Sequence, residues 1–174
     1  MGVIFASLAA SLDGYISSSS GDMAWLNDSM RRDEDYGMAE TMARAGAYLM
    51  GATTYRESAS MFGGNTPGLS THVVTHDPPA AAPPGVSFHA GDLGELSATV
   101  KAETDKDVYV FGGGDIVTQT VAANALDELT IALIPVVLGS GTRLFGDVGR
   151  ETYLRLVDCQ TFVSGIVLLK YQRA

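Results

Sequence analysis

The segment Asp107-Val108-Tyr109-Val110-Phe111-Gly112-Gly113-Gly114-Asp115-Ile116-Val117-Thr118-Gln119 constrains the fold more than any other stretch: a β-rich apolar run enters three consecutive glycines and leaves as a helix pattern. Glycines at such a junction let backbone N–H groups approach a ligand without Cβ interference, and the start of a helix adds partial positive charge. The pattern fits a phosphate cradle. It also fits a tight strand-to-helix turn in which the glycines serve the backbone alone. No Gly-Lys-Ser/Thr follows and the spacing is not Gly-x-Gly-x-x-Gly, so the P-loop and the common dinucleotide fingerprint are both absent.

Around this junction, β-rich apolar runs recur at Val3 to Ala10, Tyr48 to Met50, His72 to Thr75, Val86 to His89, Val108 to Phe111, Leu129 to Leu138, Tyr153 to Phe162 and Ile166 to Tyr171, which predicts about eight strands. Helix patterns lie at Arg32 to Arg44, Thr54 to Met61, Leu93 to Lys101 and Ile116 to Ala123. Strand and helix alternate through the first two thirds, as in a mainly parallel sheet covered on both faces. Beyond Leu126 only strand patterns remain, and Ser164-Gly165 reads as the turn of an antiparallel hairpin at the sheet edge. A mixed sheet follows. The stretch from His76 to Gly85 holds four of the six prolines and resembles a linker, but a cut there leaves neither half a complete sheet. Residues 1–174 therefore read as one domain, of a size that buries about 70% of its unfolded surface.

Composition narrows the function classes. With 46% hydrophobic and 18% charged residues the chain is too apolar for disorder, and it lacks the long uncharged apolar run of a membrane span. The balance of 11 Lys and Arg against 20 Asp and Glu gives a formal charge of −9, which repels nucleic acid and anionic membranes at long range. An anionic cofactor remains compatible, because helix-start N–H groups act locally. The single cysteine, Cys159, has no partner for an internal disulfide and no second thiol for a metal site, so no metal is expected. The amino terminus enters an apolar segment with no basic stretch ahead of it, from which a cytoplasmic protein is expected.

Two further strand ends carry chemistry. Tyr48-Leu49-Met50-Gly51-Ala52-Thr53-Thr54-Tyr55-Arg56-Glu57 places two hydroxyls at a helix start, where either threonine can serve a ligand or simply cap the helix. Val73-Val74-Thr75-His76 presents a hydroxyl and an imidazole where a parallel strand emerges. Open α/β sheets bind ligands outside the carboxyl ends of their strands, so three such ends can converge on one dinucleotide.

Together with Ser11-Leu12-Asp13-Gly14-Tyr15-Ile16 and Leu133-Ile134-Pro135-Val136-Val137-Leu138-Gly139-Ser140-Gly141, these junctions resemble the dihydrofolate-reductase-like superfamily, in the branch of the C-terminal reductase domain of the bifunctional riboflavin-biosynthesis deaminase/reductase. The likeness spans nearly the whole chain. It implies an α/β fold with a central eight-stranded mixed sheet, about four flanking helices and an antiparallel C-terminal hairpin. It also implies NADPH across the strand ends and hydride transfer to a small heterocyclic or ribosylamino-pyrimidine-like substrate. By motif position, Gly51, Ala52, Thr53 and Thr54 receive the pyrophosphate and adenosine side, and Thr75 and His76 flank the adenosine ribose. Gly112, Gly113, Gly114, Asp115, Ile116 and Val117 hold the pyrophosphate, while Ala9 and Ile16 touch the nicotinamide. The resemblance further implies a cis peptide between the first two glycines of the triplet, and a homodimer in which the apolar run Leu129 to Leu138 pairs or packs across a two-fold axis.

Two departures bear on the cofactor. Members of the family often read Met-Gly-Arg-x-Thr, the arginine pairing with the adenosine 2′-phosphate, whereas this chain has Ala52 there. A basic residue often follows the third strand end, where this chain has His76, which carries no fixed charge at neutral pH. The expectation is weak discrimination between NADPH and NADH. On the substrate side, counting back from Met50-Gly51 lands on Asp35 as acid or anchor, with Asp33 second; the plain structural alternative for this charge cluster is a solvated helix start. Asp13 in its Leu-Asp-Gly turn and Trp25 are candidates for substrate contact, each with a plain structural alternative as turn former or core cap. The competing class is a nucleotide-binding sensor that kept the fold without the chemistry. A flavodoxin-like phosphate binder is disfavoured by the strand-only final third.

Overall fold

The computed structural model describes residues 2–61 and 68–174. Eight strands form one sheet: β1 (Ile4–Ser11), β3 (Ala45–Gly51), β4 (Ser70–Val74), β5 (Val86–His89), β6 (Asp107–Val110), β7 (Glu128–Ile134), β9 (Leu154–Thr161) and β10 (Val167–Arg173). Their order is β5-β4-β3-β6-β1-β7-β10-β9, and β2 (Tyr15–Ser17) pairs with β8 (Thr142–Arg143) in a separate ribbon. Every neighbouring pair from β5 to β7 is parallel, and β10 is antiparallel to both β7 and β9. The mixed sheet and its C-terminal hairpin are thus as expected, with Gly165 at φ 86° turning the hairpin. The expected strand Leu129 to Leu138 stops at Ile134, because Pro135 has no N–H to continue the ladder.

Central strands bury both faces, and the two faces build separate cores. On one, Ile4, Ala6, Leu49, Val108, Val110 and Leu129 pack under α4 (Leu93–Ala102) and α5 (Gly114–Ala122). On the other, Phe5 stacks on Tyr109 with ring centres 5.0 Å apart, beside Tyr48, Met50 and Val73. There α2 (Met38–Arg44) crosses near Phe5, Thr130 and Leu168. α3 (Ala52–Met61) follows β3 directly, and α1 (Ala24–Ser29) covers the far end through Trp25.

Among the described residues there are five helices, one more than expected: the six-residue α1 is too short to declare a period. The predicted helix at Arg32 to Arg44 begins only at Met38. Its acidic residues are engaged elsewhere: Asp33 pairs with Arg31, Glu34 accepts the Val163 N–H at 2.8 Å, and Asp35 accepts the Met38 N–H at 2.9 Å. Gly37 then caps the helix in the left-handed region at φ 81°. Local side-chain bonding has replaced the first helical turns. Among the described residues, no helix is long and apolar enough to cross a membrane.

The amino ends of the central strands are cross-linked by charge. Arg44 bridges Asp107 at 2.8 Å and Glu128 at 2.7 Å, while Asp127 holds Lys101 and Arg173, each at 2.8 Å. Asp107 and Asp127 also accept the N–H groups of Val3 and Ile4, each at 2.9 Å. These bonds tie the strand starts together at this pole, while the glycine-bearing junctions lie at the opposite one.

A buried histidine couples stability to pH. His72 on β4 is 4% exposed, with Nδ1 3.2 Å from His89 Nε2 and Nε2 3.3 Å from a Glu103 carboxylate oxygen. Burial lowers its pKa, the Glu103 charge opposes that shift, and His89 reinforces it. The unfolded chain therefore takes up this proton first, so stability is full above about pH 6.5 and declines as pH falls below it. Urea unfolding between pH 7.5 and 5 should show this slope, and His72→Leu should flatten it; an unchanged slope in the variant would assign it elsewhere.

Candidate functional site

At the carboxyl pole the two glycine-bearing junctions meet. β6 ends at Val110, and the Phe111 N–H donates to Leu49 O at 2.9 Å, holding the chain beside β3 as it leaves the sheet. Gly112 follows at φ 140°, and a Cβ there would lie 2.5 Å from Thr54 Oγ1. Gly114, buried at the first position of α5, would drive a Cβ into Arg143 O and within 2.8 Å of Leu144 O. These two glycines are required by their neighbours. Gly113 differs: its backbone, at φ −75° and ψ 175°, suits any residue, and the nearest atom to a Cβ would be Ile16 Cδ1 at 4.0 Å. It faces open space, and no side chain caps the helix there. The triplet is thus a tight turn at its ends and open at its centre.

The second junction lies against the first. Gly51 and Thr54 approach Ile116 and Gly112 respectively, so α3 and α5 start side by side. Thr53 is exposed, and its Oγ1 accepts a bond from Arg56 Nη2 at 3.2 Å. The expected cis bond is not found, since all described peptide bonds, Gly112–Gly113 included, are trans.

The other predicted residues fall into three groups. Ile16, on β2, joins the cradle opposite Gly113, and Asp115, Ile116 and Val117 form the first turn of α5. Thr75 and His76 lie at the end of β4, one strand beyond β3; Thr75 Oγ1 accepts the Asp77 N–H at 3.3 Å, and His76 is exposed. Asp33, Asp35, Asp13 and Trp25 have local partners or settings of their own. Both Asp33 and Asp35 are exposed, with the Arg31 and Met38 contacts described above, and neither bonds a cradle residue. Asp13 accepts from Ser11 Oγ at 2.7 Å and from the Leu138 and Gly139 N–H groups at 3.1 and 2.7 Å. The Ser11 bond, with the two backbone bonds behind it, holds its carboxyl at about 2. It staples the β1–β2 turn to the loop after β7. Trp25 is buried among Tyr36, Ile134 and Ile166, its indole N–H without a partner among the described residues.

Sequence reasoning named Ala9 but missed the surface to which it belongs. The register pairs Ser7 with Thr130 and Ala9 with Ala132. All four therefore share the face that carries Phe5, and all stay half-buried on central strands. They make a floor of small side chains between the Tyr48, Tyr109 and Phe111 rings and the cluster around Trp25, which includes Ala9 and Ala132. Tyr109 donates its hydroxyl to Ser7 O at 2.9 Å, and burial, reinforced by Tyr48, pushes its pKa up to about 12, so it remains a neutral donor. The alternation of small residues at Ser7, Ala9 and Ser11 in β1 was the available signal.

The RibD C-terminal domain model matches residues 90–168. The uncharacterized protein YwjB of Bacillus subtilis is 31% identical over 96% of this chain and 95% of its own length, and B. subtilis YyaP is 26% identical over 97% and 93%. Among solved structures, a Shewanella sp. PV-4 protein provisionally ascribed to riboflavin biosynthesis superposes at a TM-score of 0.86, with 24% identity over 99% of both chains. Enterococcus faecalis dihydrofolate reductase, solved with NADP(H), gives 0.64 with 19% identity over 99% of this chain and 96% of its own. The architecture is that of a reductase fold. The chain belongs to the dihydrofolate-reductase-like superfamily, in its RibD C-terminal-domain branch.

The difference among the three glycines is measurable. Gly114→Ala should destabilise the protein by about 1–3 kcal/mol through overpacking, whereas Gly113→Ala should stay within about 0.5 kcal/mol of the parent. Chemical denaturation of both variants checks this, and equal losses would contradict the open cradle.

Proposed function

We propose that this chain is an NAD(P)H-dependent reductase acting on a small heterocyclic or ribosylamino-pyrimidine-like substrate. The observation that carries the proposal is the uncapped α5 start, open at Gly113 with Ile16 of β2 as its nearest side chain, in a sheet whose β1 and β7 present the small side chains Ser7, Ala9, Thr130 and Ala132. The residues suit the dinucleotide: a Cβ at position 113 would enter the cradle, and the first-turn N–H groups have no side-chain cap to compete with a diphosphate.

In this reading Gly112, Gly113, Gly114, Asp115, Ile116 and Val117 hold the diphosphate, and Gly51, Ala52, Thr53 and Thr54 take the adenosine side. Thr75 and His76 flank the ribose, while Ala9 and Ile16 receive the nicotinamide, which supplies the hydride when bound. The floor and its aromatic wall hold a flat substrate and exclude water, so that orientation contributes most of the rate. Asp13 and Trp25 are the candidate substrate contacts. Asp35 is the candidate acid or anchor. Asp33 is the poorer donor, since its bond to Arg31 keeps its carboxyl below the usual range. A sensor without turnover is the second reading, favoured by the local engagement of both aspartates.

Titration of nicotinamide fluorescence should show binding, and Gly113→Val should weaken it about tenfold or more while stability is retained. Loss of reduced-nicotinamide absorbance with dihydropterin or ribosylaminopyrimidine substrates separates reductase from sensor. Binding without turnover of any of them would favour the sensor, and no binding would refute both.

The chain is also proposed to be a cytoplasmic homodimer. β7 lies inside the sheet between β1 and β10, so edge pairing of Leu129 to Leu138 is ruled out. The outer edge is β9, where Leu156 is 50% exposed and the preceding Tyr153 73%. Light scattering at micromolar concentration should give twice the mass of the 18.3 kDa chain, and Leu156→Lys should reduce it to the monomer.

A further inference from the structure

The open cradle and the floor orient a dinucleotide. Its hydride-bearing ring must reach the floor on β1 and β7, so its other nucleoside extends the opposite way, from β6 over the ends of β3 and β4. That path crosses the first turn of α3. Ala52 leaves position 52 without charge, but Arg56 lies four residues on, on the same helical face. Helical side chains slant toward the amino terminus, and Arg56 follows this rule: its guanidinium folds back over the first turn to donate to Thr53 Oγ1 at 3.2 Å. Among the described residues it forms no ion pair, whereas Arg44, Lys101, Lys170 and Arg173 are all paired to carboxylates. Asp115, the acidic residue at the neighbouring α5 start, bonds Gln119 Nε2 along its own helix at 2.9 Å.

We propose that Arg56 is the residue by which this site selects a phosphorylated dinucleotide, its guanidinium binding the phosphomonoester on the adenosine ribose. The inference rests on the dinucleotide reading above and replaces the weak discrimination expected from Ala52 and His76. A planar guanidinium is suited to a phosphate, with two N–H groups for one phosphoryl face. The neutral Thr53 oxygen holds it in place without neutralising it.

Isothermal titration with NADPH, NADH, 2′,5′-ADP and 5′-AMP on the parent chain and on Arg56→Gln and Arg56→Lys tests this without any turnover. The parent should bind NADPH at least about tenfold more tightly than NADH, and 2′,5′-ADP more tightly than 5′-AMP. Arg56→Gln should abolish both preferences while leaving NADH and 5′-AMP affinity unchanged, and Arg56→Lys should restore them in part. A parent that binds NADH and NADPH equally, or an Arg56→Gln variant that keeps its preference or weakens both dinucleotides alike, would overturn the role of Arg56 and leave the reductase reading standing. A parent that binds neither dinucleotide would overturn both.

Discussion

The contact between Gly112 and Thr54 is the constraint on which the carboxyl pole depends. β3 and β6 are neighbours, so their helices must start within one strand spacing of each other, about 4.8 Å. Two helix starts that close fit only if one chain gives up its side chain, and Gly112 is where that happens. The same crowding recurs at Gly114, pressed by the Arg143 and Leu144 carbonyls from the loop that β8 and β2 hold in place. With its two ends fixed in this way, the middle glycine is held open without being touched. Crowding at the flanks and emptiness at the centre are one arrangement, and the second is what a ligand would use.

Most of this architecture was legible in the chain because its signals are local. Eight strand runs, the order of alternation and the final hairpin follow from period and turn residues, which act within a few positions. The helix at Arg32 to Arg44 misled because its acids bind other partners: Asp33 and Asp35 locally, and Glu34 to Val163 and Ser164 across the fold. Pro135 ended β7 early, a stop that the apolar run through Leu138 disguised. The floor was harder still, since Ser7 and Thr130 become one surface only through the β1–β7 register. Of the site residues, those on the two glycine junctions were found by position, whereas Asp35 came from counting back through a segment whose conformation is not helical.

The chain carries a formal charge of −9 yet is proposed to bind an anion at an uncapped helix start, and the distribution of its cations resolves the tension. Arg44, Lys101 and Arg173 lie at the amino pole, paired with Asp107, Glu128 and Asp127 where they lock the strand starts. At the other pole the backbone dipoles of the helix starts add a short-ranged attraction that does not depend on net charge. Beside the glycine junctions lie Arg143, over the Tyr15 ring at 5.0 Å, and Arg56 on α3. A long-range field that repels polyanions, together with the local donors proposed to receive a diphosphate, would act as a filter for small anionic ligands. Each charge placed at the amino pole for stability is one that cannot broaden that filter.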